Sequence, residues 1–469
     1  MRNMKQLFVG LLAMMAFTSC TKYLDIQPYG RTIPKTAEEF SALLQNDLNA
    51  IDEGSRNYII GTTSSTTDWD LGGGDDFETC LTQQSGRFLP VYVGDFVGST
   101  LASSPYANLY EVIRDCNIVI GNMTEQGTDL ANSVMATAYA MRGVAYYQLM
   151  RMYCEAPEKG SFGKQLGMPI VTDFNMEYRP IRSTMQQTID QVESDLQKAL
   201  EYHSTDKIYL FTADVVKGYM ARLYFWTEQW EKALPLAQEL LKAYPLLSGD
   251  SYKQMIAHPL DKTTNQLISA YRALSTSTSQ GYQMTAANIK YRPVSKRFLK
   301  CFQNGEDTTD VRYPLCVNVR RQAVKPVFCG MRAAEFKLME AECYVHLGKE
   351  AEALASLNDF RSHRIEGVKP YAMETLPAKN DMEIIRVDAQ GKPLTPLMAA
   401  ILNERRKELF LETDRLFELK RNGTPSFWTA YNGRKYVTAP YMYTFPIPES
   451  DIRVTPAIVQ NPGYTDLKN

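Results

Sequence analysis

Thr212 to Pro245 reads TADVVKGYMARLYFWTEQWEKALPLAQELLKAYP, and the spacing of its small and aromatic residues decides the fold. The apolar pattern has helical period. Small Ala221 and Ala233 lie twelve apart, and aromatic Tyr224 follows the first by three. A small residue on each of two helices lets them approach closely, and a tyrosine plugs the gap beside them. The stretch predicts a helical hairpin closed by Pro245.

The hairpin repeats. From Arg332 the chain runs RAAEFKLMEAECYVHLGKEAEALASLNDFRSHR, where Ala341, Tyr344, Gly348 and Ala353 take the matching places. Both copies have the spacing of a tetratricopeptide (TPR) hairpin, with Leu240 standing where a second-helix alanine is usual. A fainter third copy, VMATAYAMRGVAYYQLMRMY, offers Gly143 and Tyr146. A further helix, TMQQTIDQVESDLQKALEYH, is predicted with Ser183 or Thr184 as its N-cap. A lone hairpin cannot bury its apolar face, so the copies must stack or pack on something else. Between them, residues 50–105 and 246–330 are rich in Gly, Ser, Thr, Asn and Pro and lack helical period. Long irregular segments of this kind tend to carry function.

Residues 1–19 read as a signal peptide. Arg2 and Lys5 precede an apolar run, Leu7 to Phe17, that is shorter than the ~20 residues needed to span a bilayer. It ends in Phe-Thr-Ser-Cys with no Ala-x-Ala site, which resembles a bacterial lipobox in which Cys20 is acylated and becomes the mature N-terminus. An ordinary secretory peptide ending near a cysteine is the alternative. No later segment is apolar enough to cross a membrane. The chain is 44% hydrophobic, enough for a sizeable core, and its 51 basic and 53 acidic residues give a net charge of -2 that marks no nucleic-acid binder. Its 28 Tyr, 19 Phe and 4 Trp suit a binding surface for flat, weakly charged ligands as well as a core. Seven cysteines follow Cys20, an odd number without a C-x-x-C pair, and free buried thiols are expected.

Six stretches, in order, carry a resemblance. They are YLDIQPYGRTIPKTAEEFSALL from Tyr23, RGVAYYQLMRMYCEAP from Arg142, GMPIVTDF from Gly167 and LNDFRSHR from Leu357. NERRKELFLETDRLFELKRNG from Asn403 and YTFPIPESDIRVTPAIVQNPGY from Tyr443 complete them. Together they resemble the SusD/RagB family, outer-membrane nutrient-binding lipoproteins of Bacteroidetes. Two positions depart from the family pattern: Thr413 replaces a usual glycine and Glu418 a usual aspartate. The resemblance implies a mainly α SusD-like fold, with four TPR-like helix-turn-helix units packed against an irregular, loop-rich ligand-binding region. It implies one domain over 20–469, with an N-terminal part to about 225 and a C-terminal part from about 226. It also implies a partner, a SusC-like TonB-dependent barrel over which this protein closes as a lid.

The stretch from Asn403 to Gly423 holds four glutamates, an aspartate and six basic residues. Placed on one helix, Ile401, Arg405, Glu408, Glu412, Arg415 and Leu419 are spaced 4-3-4-3-4 and form one stripe beside Leu402, Leu409 and Leu416. Arg405 and Arg415 are then expected to pair with Glu408 and Glu412 as a structural row at the edge of the apolar face. A catalytic pair wants unpaired carboxylates in a cleft, and every glutamate here has a base within one turn. The four histidines form no metal-binding pair, and no nucleophile elbow or Walker loop occurs. His346, at a helix end, reads as a cap or surface group. LGGGDDFE, Leu71 to Glu78, has calcium-type acids in Asp75, Asp76 and Glu78 but not at alternate positions, and reads as a flexible turn. Neither an enzyme nor a metal or other cofactor is expected.

Two irregular segments mix aromatics with polar groups in the manner of a sugar site. One holds Asp68, Trp69 and Asp70; the other holds Tyr271, Arg272, Tyr282, Asn288, Tyr291 and Arg292. The same aromatics would also serve as hydrophobic filling beneath the loops. The leading expectation is an oligosaccharide-binding lipoprotein, anchored in the outer membrane and exposed at the cell surface, that delivers its ligand to the barrel. An oligopeptide ligand, a membrane-anchored TPR adaptor and a glycoside hydrolase are the competing readings. Only one acid, Asp25, follows Cys20 closely, so a periplasm-facing anchor stays open.

Overall fold

The computed structural model describes residues 34–53, 58–59, 73–78, 94, 96–175, 177–203, 211–257, 267–270, 292–302, 308–328, 330–412, 414–431 and 434–464. Helices dominate. The first half carries α1 (Ala37–Glu53), α2 (Thr100–Asn122), α3 (Asp129–Tyr153), α4 (Met185–Tyr202), α5 (Ala213–Trp226), α6 (Trp230–Ala243) and α7 (Gly249–Ala257). The second carries α8 (Lys296–Lys300), α9 (Arg312–Cys316), α10 (Ala333–His346), α11 (Glu350–Ser362), α12 (Pro396–Glu408), α13 (Arg415–Arg421) and α14 (Glu449–Val454). Three antiparallel two-stranded pairs stand among them: β1 (Leu166–Pro169) with β2 (Arg182–Thr184), β3 (Leu267–Ala270) with β4 (Gly330–Arg332), and β5 (Trp428–Tyr431) with β6 (Arg434–Val437).

The two strong repeats fold as hairpins. Three residues, Thr227 to Gln229, join α5 to α6, and Leu347 to Lys349 join α10 to α11. Ala221, Ala233, Ala341 and Ala353 are all buried where the helices meet. The tyrosines do more than fill a gap. The Tyr224 hydroxyl donates to Glu193 on α4 at 2.8 Å, and the Tyr344 hydroxyl accepts from the Gln238 amide on α6 at 2.7 Å. In both repeats the tyrosine therefore clasps the second helix of the hairpin before it. The His346 side chain is not a surface group: the ring is enclosed, stacked on Trp230 at 4.1 Å between centroids.

The faint third copy pairs α3 with α4. A Cβ on Gly143 would lie 3.1 Å from the Asp195 Cβ and 3.2 Å from Leu196, so any side chain here would have to push α4 back by a few tenths of an ångström. Next to it Arg142 clamps Asp195 through two bonds of 2.9 and 2.6 Å. Thr184, not Ser183, caps α4: the Gln187 N–H donates to its hydroxyl at 3.2 Å, and its own N–H donates back to the Gln187 side chain at 2.9 Å. Thr184→Ala is expected to cost about 1 kcal/mol, read from the denaturant midpoint.

The pairs α3/α4, α5/α6 and α10/α11 stack in that order, with α2 against α3 and α12 against α10 and α11. The chain then returns to its start. Asn461 donates to the carbonyls of Tyr153 and Phe445 and accepts from Arg182 at 2.6 Å, tying the last segment to the end of α3. Gly463 has φ 85° and faces the Tyr441 side chain at 2.5 Å from any added Cβ, so no other residue fits there. One apolar core accordingly includes side chains from Phe40 to Tyr464. Cys116, Cys154, Cys301, Cys316 and Cys343 are buried free thiols; Cys80 and Cys329 lie outside the described residues.

Candidate functional site

The charged row does not lie on one helix. α12 stops at Glu408, the chain turns through Leu411 at φ 59°, and α13 begins at Arg415. Nor is there a single stripe, because all five residues from Glu404 to Glu408 are buried. A helix enclosed on every side must find partners on every side.

It finds most of them far away in sequence. The carboxylate of Glu408 is ringed by Arg364 at 2.9 Å, Arg332 at 3.2 Å and Arg312 at 3.7 Å. Glu404 meets Arg312 at 2.5 Å and Lys407 at 2.8 Å. Glu412 pairs with Lys325 and Arg332, and Arg405 holds Asp414 through bonds of 2.9 and 2.6 Å. The predicted pairing of Arg405 and Arg415 with Glu408 and Glu412 is thus corrected: the four charges are buried and partnered, but not with one another. The spacing argument failed because it assumed an unbroken helix with one apolar side.

Arg406 and Arg415 hold the acidic turn at Asp75 and Asp76. Arg406 donates to Asp76 at 2.7 Å and Glu383 at 2.8 Å and lies 3.2 Å from Asp75. Arg415 donates to Asp75 at 2.8 Å and to Glu383 at 2.7 Å. Asp75 and Asp76, read above as a flexible turn, are instead buried, and their negative charge is met by guanidiniums that would repel a calcium ion. Burial raises the Asp75 carboxyl, but Arg406 and Arg415 outweigh it; at Asp76 burial prevails and the carboxyl sits above its ordinary value.

The anchored turn in its own right anchors a second segment. The Glu78 N–H donates to the Pro293 carbonyl at 2.8 Å, the Ser295 N–H to the Asp76 carbonyl at 2.7 Å, and Phe77 bridges Val294. The Ser295 hydroxyl donates to the Asp75 carbonyl at 2.7 Å and caps α8. Phe77, Phe298 and Phe410 stack beneath this joint. The two irregular segments singled out in the sequence are therefore joined backbone to backbone, and the joint is clamped to α12 and α13.

Asp68, Trp69, Asp70, Tyr271, Arg272, Tyr282, Asn288 and Tyr291 lie outside the described residues, as does Cys20. Arg292 is described; it is buried at the foot of the joint. Sequence reasoning missed a neighbouring cleft of about 320 Å³, walled by Lys300 at the end of α8, the segment from Tyr371 to Arg386, and α12. Glu383 belongs both to its wall and to the clamp. No helix among the described residues is long and apolar enough to cross a membrane.

Four ion-paired carboxyls, among them Glu342 with Arg421 and Asp310 with Arg312, set an acid limit. Burial raises Glu408, Glu342, Glu383 and Asp310, yet facing guanidiniums (Arg364 and Arg332; Arg421; Arg415 and Arg406; Arg312) hold each well below its ordinary value. Unfolded carboxyls titrate near pH 4, so below about pH 4.5 the unfolded chain binds more protons than the folded one. The stabilisation is complete above that window and is lost as pH falls towards the depressed folded values. The urea midpoint should drop steeply below about pH 4.5; a midpoint unchanged at pH 3 would contradict the clamp.

Stacked helical hairpins with irregular segments clamped to them define a helical scaffold protein. Residues 22–225 match a family model described as starch-binding associating with outer membrane, and residues 318–464 match the SusD family model. The chain belongs to the SusD/RagB family, one of carbohydrate-binding, outer-membrane-associated proteins. A SusD superfamily protein from Bacteroides thetaiotaomicron is similar in structure, with TM-score 0.69, 22% identity, and coverage of 91% of this chain and 100% of that one. Another, from Bacteroides vulgatus, gives TM-score 0.71, 19% identity, and coverage of 92% and 99%. A laminarin-binding SusD-like protein gives TM-score 0.62, 18% identity, and coverage of 92% and 100%. No curated protein matches the sequence.

Proposed function

We propose that this protein captures oligosaccharides at the cell surface, tethered by an acylated Cys20 to the outer membrane, and passes them to a SusC-like TonB-dependent transporter without cleaving them. The observation that carries the reading is the clamped joint. The described ends of two segments rich in aromatic and polar residues, Asp75 to Glu78 and Pro293 to Ser295, are bonded to each other and share one rigid base. Preorganised loops lose less entropy on binding than free ones. Asp68, Trp69, Asp70, Tyr271, Arg272, Tyr282, Asn288 and Tyr291 are the proposed contacts, with rings stacking on sugar faces and amides and acids reading hydroxyls. Arg292, buried at the foot of the joint, positions the second segment.

The family supports carbohydrate over peptide, and the engagement of each described clamp carboxylate by a base supports binding over catalysis. Calorimetric titration of the mature protein against a panel of glycans and a peptide digest tests this. Heat with a glycan that falls about tenfold or more in Trp69→Ala or Tyr291→Ala is expected, given stacking of order 1.4 kcal/mol or more per ring. Heat with peptides alone, or release of reducing ends from the glycan, would overturn it. Protease shaving of intact cells and co-purification of the barrel test the location and the partner.

A further inference from the structure

We propose that the cleft between Tyr371 and Asn403 is a second carbohydrate subsite, and that it selects an acidic sugar unit such as a uronate. This rests on the reading that the protein binds glycans, but not on which loop residues do so. At about 320 Å³ the cleft lies at the low end of the range for small-molecule sites, roomy enough for a sugar ring or two.

Its aromatic wall is braced. The guanidinium of Arg361 lies 3.5 Å from the Tyr371 ring centroid, and the Tyr371 backbone is fixed by a reciprocal pair of bonds with the Asn358 amide at 2.8 and 2.9 Å. Arg361 covers the ring, which also packs against the apolar cluster of Ala341, Ala353, Leu357 and Ile401, and the part that remains lines the cleft. A ring so held serves as a stacking platform at little entropic cost.

Polar groups stand around it. The Asn403 amide donates to the Cys301 carbonyl at 3.0 Å, which fixes its side chain and leaves its oxygen to accept. Asn380 accepts from the Met382 N–H at 3.0 Å, while its Nδ2 is buried without an acceptor among the described residues. A buried donor in that condition favours the arrival of an oxygen.

Charge decides the class. Glu383 and Glu404 line the wall, but their charges are engaged by Arg406 and Arg415 and by Arg312 and Lys407. The remaining lining charges are Lys300, Lys379 and Arg386 against the single acid Asp381. None of those three bases has a carboxylate partner among the described residues. A net-positive rim around an aromatic platform complements a ring that bears a carboxylate.

The test titrates the mature protein with oligogalacturonate and with its methyl ester, which keeps the rings and removes the charge. The acid form is expected to bind about tenfold tighter at low salt, a preference that shrinks as salt is raised. In the variant K300Q/K379Q/R386Q, which alters only rim side chains, the preference should vanish while the ester binds within about twofold of wild type. Tyr371→Phe should keep the preference, and Tyr371→Ala should weaken both forms. Equal binding of acid and ester by wild type, or a preference that survives the triple variant, overturns the proposal and leaves the loop site standing. Absence of heat with any glycan, acidic or neutral, overturns the carbohydrate reading and this inference with it.

Discussion

Glu408→Gln is expected to remove about 3–5 kcal/mol of folding stability, the cost of breaking a buried ion pair by deleting one partner. The carboxylate is fully buried and faces three guanidiniums, those of Arg364, Arg332 and Arg312. An amide of the same shape keeps the packing but leaves three cations facing one another with less negative charge between them. Arg332 and Arg312 retain Glu412 and Asp310, so Arg364 loses most. Arg364 also lies 3.8 Å over the Tyr252 ring, and with its anion gone this stack and α7 should loosen with it. Total stability of a domain is only about 5–15 kcal/mol, so the variant should sit near the edge of folding, with a large fall in its urea midpoint. A loss under about 1 kcal/mol would show that Glu408 holds nothing together.

Arg406→Gln should be nearly as costly and should also abolish ligand capture. It strips Asp75, Asp76 and Glu383 of a shared cation and leaves Arg415 to serve two of them. The turn that carries Asp75 and Asp76 is the one bonded to Pro293 and Ser295, so its release frees both irregular segments together. About 3–5 kcal/mol of destabilisation is expected. Hydrogen exchange should rise at residues 73–78 and 292–296 before it rises in α3 or α5, with loss of glycan heat. Exchange that rises everywhere at once would mean that the clamp has no local role.

Much of the scaffold was legible because helix packing repeats. Ala221, Tyr224 and Ala233 and their counterparts fixed two hairpins by spacing alone, and Gly143 marked a third where α4 approaches. The same residues did not disclose that the tyrosines reach into the preceding hairpin, since a contact between repeats leaves no mark within one. LNDFRSHR and NERRKELFLE could each be read as a motif. That Arg361 and Arg364 of the first face Glu404 and Glu408 of the second was hidden by the local reading of charge, which matched the row with itself. Asp75 and Asp76 were misread for a related reason: glycines before them indicated a loose turn, while the arginines that bury them lie more than three hundred residues away. The cleft beside Tyr371 had no signature, because its walls come from three separate segments.

The attachment of Asn461 to the end of α3 makes the fold depend on a contact between distant parts of the chain. Tyr153 and Phe445 obtain part of their hydrogen bonding from one side chain, which lies 308 residues from the first and 16 from the second. The entropy of closing so long a loop is lost before its contacts repay it, so a joint of this kind is slow to form and is made on a scaffold of helices already packed.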